Sequence, residues 1–268
     1  MIGVFDSGFG GLTILKAFLE KLPDYDYVYL GDNARTPYGN KSQEVIYNYT
    51  AQAVDFLFSR GCELIVIACN TSSAKALRRI QQEYLPKHYP GKRVLGVVIP
   101  IVEEALVNDK IKKVGVIGTR STINSKVYEI ELNKLGKEIE IYKNACPLLV
   151  PLVEEGWTGK PEAKMILKKY LRPLKQKGIN ALILGCTHYP FMIEDIKRIM
   201  GKRVLVLDSP KIVAEKLEDY LKRHPEIEKN ISKNKKRIFY TTDDPGIFKS
   251  FGKKFLGTEI NDVKKAEY

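Results

Sequence analysis

The chain has only four cysteines, three histidines and one tryptophan in 268 residues, and each scarcity narrows what it is. Cys62, Cys69, Cys146 and Cys186 form no Cys-x-x-Cys pair, and a chain of this length can bury enough core to do without disulfide staples. Reduced thiols are expected. His88, His188 and His224 lie far apart with no metal-ligand spacing, so no metal site is expected. No apolar run approaches the roughly 18–20 residues needed to cross a bilayer. The opening MIGVFDSGFGG has no basic segment ahead of an apolar one and reads directly into a strand. Neither a signal peptide nor a membrane association is expected, and a cytoplasmic protein follows.

Charge of one sign is not scarce. Lys and Arg number 44 against 32 Asp and Glu, a net +12, which raises nucleic-acid binding as a non-enzymatic reading. The acids interleave with the bases along nearly the whole chain, however. The densest basic run, Lys229–Arg237 (KNISKNKKR), has neither acid nor aromatic and reads as a solvated loop or helix end. Nucleic acid is not expected as a partner.

Strands and helices alternate along the chain. Ile2–Phe5, Asp26–Leu30, Leu64–Ala68 and Arg93–Val98 read as strands, the last ending near Pro100. Ser42–Arg60 has the 3.6-residue apolar period of an amphipathic helix, and Ser72–Tyr84 reads as another. The pattern then restarts: Lys113–Gly118 (KVGVIG) resembles the opening IGVF. Strands Glu138–Tyr142, Leu182–Gly185 and Arg203–Leu207 follow, with helices over Pro161–Gln176 and Phe191–Met200 between them. The tail carries a helix over Lys211–Arg223, a strand Ile238–Thr241 and a short helix near Ile247–Phe251. This is an α/β chain with two similar doubly wound domains and mostly parallel sheets. The expected boundaries are 1–97 plus 208–268 for the first and 98–207 for the second, the tail returning to the first half.

Two runs stand out within that pattern. Glu63–Ala74 (ELIVIACNTSSA) and Ala181–Pro190 (ALILGCTHYP) each deliver a cysteine at the end of an apolar strand, followed by small polar residues. A helix N-terminus beyond such a strand favours the thiolate, and ligands of parallel sheets bind past the carboxyl ends of strands. Two such thiols suit two proton-transfer groups facing each other across an interdomain cleft. A buried cysteine is otherwise a small hydrophobe, which fits Cys62 and Cys146. Asp6-Ser7-Gly8-Phe9-Gly10-Gly11 follows the first strand; it is a tight turn or an anion-friendly loop, and Asp6 can orient or deprotonate a thiol. His188 is close enough in sequence to partner Cys186. Glu154 and Glu155 are either neighbours of the same cleft or a solvated pair before Gly156. A single-cysteine hydrolase or amidotransferase with His188 as base would leave the second strand-end thiol without a role.

Taken in order, DSGFGGLT, GDNARTPYG, ACNTSSA and LGCTHYP, with CPLLVPLVEEG between the last two, resemble the glutamate racemases over essentially the whole chain. Aspartate racemases share the two-cysteine plan, but DSGxGG and CTHYP are more similar to the glutamate enzymes. The resemblance implies cofactor-independent interconversion of L- and D-glutamate, supplying D-glutamate for peptidoglycan, commonly in a homodimer. It assigns Cys69 and Cys186 as the two acid/bases, with Asp6 assisting the first, His188 the second, and Glu154 as a further ionisable neighbour. It also implies that Asp6, Ser7, Tyr38, Gly39, Asn70, Thr71, Thr187 and His188 bind substrate.

Overall fold

The computed structural model describes residues 1–107, 109–135, 139–258 and 260–268. Among the described residues ten strands form two sheets, and every registered pair in them is parallel. The first sheet contains β1 (Ile2–Asp6), β2 (Tyr27–Gly31), β3 (Leu64–Ile67), β4 (Arg93–Gly96), β9 (Arg237–Thr241) and β10 (Val263–Lys265), in the order β10-β9-β2-β1-β3-β4. The second contains β5 (Lys113–Gly118), β6 (Glu140–Ala145), β7 (Ala181–Gly185) and β8 (Leu205–Val206), in the order β6-β5-β7-β8. The run β2-β1-β3-β4 is thus repeated as β6-β5-β7-β8. The repeat expected from KVGVIG is real at the level of topology, and Cys69 and Cys186 follow corresponding strands.

Inner strands buried on both faces read as continuous apolar runs. In the first sheet Ile2, Val4, Leu64 and Val66 face one core, while Phe5, Ile65 and Ile67 face the other. The first of these cores continues into the second sheet through Val98, Ile101, Val102 and Ala105, and through Ile212, Val213 and Leu217. The helix Ser209–Arg223 packs against both Leu12–Lys21 and Val98–Val107, so it ties the two sheets together. Among the described residues no helix is long and apolar enough to cross a membrane.

Several boundaries differ from the sequence reading. β4 stops at Gly96, and Val98–Val107 is a helix. The sequence reading carries the strand to Val98, near Pro100, and names no helix there; Pro100 in fact sits in the first helical turn, where its missing N–H costs nothing. The helix expected over Ser72–Tyr84 starts at Asn70 and continues to His88 in short pieces, with a wider turn over Ile80–Tyr84. Glu138, expected to open a strand, lies outside the described residues, and β6 begins at Glu140. The tail adds β10 beside β9, an edge strand too short to show a period.

The basic run Lys229–Arg237 is folded around acids. Buried Asp26 accepts hydrogen bonds from Ser232 Oγ (2.6 Å), Asn234 N (2.8 Å), Asn234 Nδ2 (3.0 Å) and Lys236 N (2.8 Å). Lys233 pairs with Glu228, Lys235 with Asp24, and Arg237 donates to the carbonyls of Pro23 and Tyr25. Burial acts to raise the Asp26 pKa, but the bonds from Ser232, Lys236 and Asn234 outweigh it and hold the carboxyl well below the usual range. A depressed folded-state pKa gives stability that is present above the unfolded value near 3.9 and lost as pH falls through the folded one. Asp26→Ala should therefore cost about 3 kcal/mol at pH 7, because several buried donors lose their acceptor. In urea titrations at several pH values, the variant should also lose less stability than the parent below about pH 4.

Candidate active site

β1 ends at Asp6, and the chain turns through Ser7–Gly11 into the helix Leu12–Lys21. β7 ends at Gly185, and Cys186, Thr187 and His188 follow. These two loops, from different sheets, meet. A Cβ on Gly10 would lie 2.2 Å from Thr187 Oγ1 and 2.5 Å from His188 Nδ1, so only glycine permits the approach. Thr13 Oγ1 lies 2.8 Å from the Gly10 carbonyl and 3.0 Å from that of Thr187, so its one proton is shared between the two. Thr187 Oγ1 donates to Asp6 Oδ1 at 3.4 Å, and Gly8 N to Asp6 Oδ2 at 3.0 Å. Burial pushes the Asp6 carboxyl up, opposed by the charge of His188 and by the backbone N–H groups of Gly8 and Gly11.

Cys69 follows β3 as the N-cap of the helix Asn70–Lys75. Its thiol lies 3.4 Å from Ser7 Oγ. Burial first, and then the Asp6 carboxylate, push this thiol up to about 11. Cys186 Sγ lies 3.9 Å from His188 Nδ1, and His188 Nε2 lies 2.9 Å from Glu154 Oε1. Burial acts to lower the His188 pKa, but Cys186 and Glu154 overcome it and raise the imidazole to about 10. One end of the site is therefore a sulfur near a buried carboxyl, and the other a sulfur beside an imidazole that also meets Glu154. All four cysteines are buried and unbonded.

The remaining sequence-selected residues fall into three groups. Asn70 accepts from Tyr128 Oη at 2.7 Å, which aims its amide nitrogen away from that hydroxyl. Thr71 Oγ1 lies 3.0 Å from Thr119 Oγ1 and 3.2 Å from Thr122 Oγ1, joining the loop after β3 to the one after β5. Gly39 joins this contact, since a Cβ there would sit 2.9 Å from Thr119 Cβ. Tyr38 stands apart: it is buried, its hydroxyl is committed to Asp32, and both its burial and that carboxylate raise its pKa. Sequence reading overlooked Tyr128, Thr119 and Thr122. Thr119 had a signal, because in the repeat it occupies the place after β5 that Ser7 holds after β1. Tyr128 had none, since its partner Asn70 is distant in sequence. Among the described residues no cluster of three or more His, Cys, Asp or Glu could hold a metal.

This geometry, two thiols past corresponding strands with the loops after β1 and β7 in contact, has close relatives. Residues 12–217 match the family model for Asp/Glu/Hydantoin racemase. The chain belongs to that family. Within it the similarity is to glutamate racemases. A curated glutamate racemase of Geobacter metallireducens is 40% identical over 263 residues, covering 98% of this chain and 94% of its own. Glutamate racemase of Francisella tularensis, solved with D-glutamate, superposes with a TM-score of 0.88 at 39% identity, covering 99% of this chain and 97% of the other. An isoform from Bacillus anthracis reaches a TM-score of 0.91 at 33% identity, covering 100% and 97%. The chain is thus an amino-acid racemase, an isomerase with the two-sheet fold of this family.

The meeting of these two loops depends on the Gly10 contact. Gly10→Ala should force the Thr187–His188 loop away, at a stability cost of about 1–3 kcal/mol typical of overpacking. Thermal unfolding reads the cost. A parallel assay should show a larger proportional loss of turnover than of folded protein.

Proposed function

We propose that this chain interconverts L- and D-glutamate without a cofactor, using Cys69 and Cys186 as two bases on opposite faces of the α-carbon. The observation that carries the reading is the repeat: two matched parallel sheets, each ending a corresponding strand in a buried thiol, with a different ionisable escort at each. An amino acid's α-proton is very weakly acidic, so its removal needs a strong base in a dry site and donors aimed at the developing carbanion's carboxylate. A desolvated thiol pushed up to about 11 is a stronger base when ionised than an ordinary one. Two bases are needed because one base on one face would return its proton with retention.

In this reading Cys69, assisted by Asp6, takes the proton from D-glutamate while Cys186 gives one to the other face. In reverse Cys186, assisted by His188 and Glu154, takes the proton from L-glutamate. Ser7, Asn70, Thr71 and Thr187, with the backbone at Gly39, supply donors to the substrate's carboxylates, and Tyr38 shapes the wall of the pocket. Residues 1–97 with 208–268, and 98–207, act as two domains closing over glutamate. The setting we propose, as the sequence resemblance implies, is a homodimer in the cytoplasm supplying D-glutamate for peptidoglycan.

Purified protein incubated with either enantiomer in deuterium oxide, with no added cofactor, should place deuterium at Cα of the product enantiomer. Cys69→Ala or Cys186→Ala should lower racemisation by about a thousandfold or more, in the range of removing an acid/base group. Cys62→Ala and Cys146→Ala should keep most activity. Full turnover by Cys186→Ala would sink the two-base mechanism.

Turnover requires one thiolate and one thiol at once, so kcat should be bell-shaped in pH, with limbs that report the coupled set rather than either sulfur. His188→Asn should lower kcat more for L-glutamate than for D-glutamate. Equal effects on the two kcat values would remove the pairing of His188 with Cys186.

A further inference from the structure

Two serines follow Cys69 on the same short helix, and they differ in a telling way. Ser73 Oγ donates to the Ile67 carbonyl at 2.8 Å and accepts from Val97 N at 3.4 Å. Ser72 is wholly buried, and its Oγ has no hydrogen-bond partner. An unpaired buried hydroxyl is costly, and such groups in a folded protein call for an account. Ser72 is the third residue after the N-cap Cys69, the position from which an N–H and a side chain reach back to the capping residue.

We propose that Ser72 is a positioning residue for Cys69, its hydroxyl held unpaired beside the sulfur so that it donates a hydrogen bond when the sulfur carries negative charge. With a protonated thiol the sulfur is a weak acceptor and the hydroxyl stays uncommitted. When Cys69 is ionised, Ser7 Oγ, Ser72 N and Ser72 Oγ together surround the anion with three donors. Both the N–H and the hydroxyl of Ser72 favour the ionised sulfur against burial and Asp6. The titratable groups facing Cys69 from other elements are Asp6, at the end of β1, and Tyr29 on β2. Burial, Asp6 and Cys69 push the Tyr29 phenol well up, so it stays neutral; Asp6 is the charge that opposes the thiolate, and the hydroxyl donors are what balance it. The device deepens the two-base reading and rests on it for its role in turnover.

The test compares the parent with Ser72→Ala and Ser72→Cys by iodoacetamide alkylation across pH, with each cysteine resolved by mass spectrometry. In Ser72→Ala the pH of half-maximal Cys69 alkylation should rise by about one, the scale of a hydrogen bond to a charged group. The Cys186 curve should not move. Racemisation kcat near neutrality should fall about tenfold for a pKa change of that size, and the melting temperature should hold or rise because no formed hydrogen bond is lost. Ser72→Cys, close in volume and a weaker donor, should give an intermediate Cys69 curve. A parental Cys69 curve in Ser72→Ala overturns the proposal, as does a lower melting temperature with both cysteine curves moving together. Alkylation needs no turnover, so absence of racemisation by the parent strikes the proposed function alone, and an unmoved Cys69 curve strikes Ser72 alone.

Discussion

The arrangement hangs on one close approach, the backbone of Gly10 against Thr187 and His188. It brings the carboxyl ends of β1 and β7, which belong to different sheets, to within hydrogen-bond distance through Asp6 and Thr187. Each sheet alone places its thiol at the end of a strand and no more. Because the two loops touch, the escorts of one thiol lie within electrostatic reach of those of the other. The charge of His188 acts on Asp6, so protonation on one side is felt on the other. A side chain at position 10 would fill the space that makes this coupling possible.

The parts of the fold that were legible in the sequence are those whose signal is local. Inner strands such as Leu64–Ile67 and Ala181–Gly185 are buried on both faces, so their residues are apolar without interruption. Cys69 and Cys186 announced themselves because strand ends and small polar followers are adjacent in sequence. The helix Val98–Val107 was not legible, because its β-branched residues carry a strand preference that tertiary packing overrides. Tyr128 and the unpaired hydroxyl of Ser72 were out of reach for another reason. Their significance lies in what they face, and Asn70 faces Tyr128 only after the second sheet is in place. Tyr38 shows the converse, a residue visible in a motif whose hydroxyl is bonded to Asp32 within its own loop.

The net charge of +12 is spread over local pairings. Lys233 with Glu228, Lys235 with Asp24 and Arg78 with Glu131 are partly or fully exposed, and such pairs contribute little individually. Asp26 is different because it is buried and accepts four hydrogen bonds from the segment around Asn234. It fixes the start of β9 against β2, and so sets the register by which the tail rejoins the first sheet. Charge that looked like a surface property from composition is, at this one residue, part of the fold's interior.

The second sheet is strung between β4 and β9, so the chain leaves the first sheet between Gly96 and Val98 and turns back toward it between Leu207 and Ser209. Both crossings lead at once into helices, Val98–Val107 and Ser209–Arg223, that pack on each other. Two short covalent ties side by side behave like a pair of door hinges. They resist twist and shear and leave rotation about the line joining them as the soft direction. Motion along that one direction changes the gap between strand ends most and the contacts at the crossings least. On the proposed division into two domains, such a rotation is the one that would part the Gly10 and Thr187 loops while leaving the helix pair at the pivot packed.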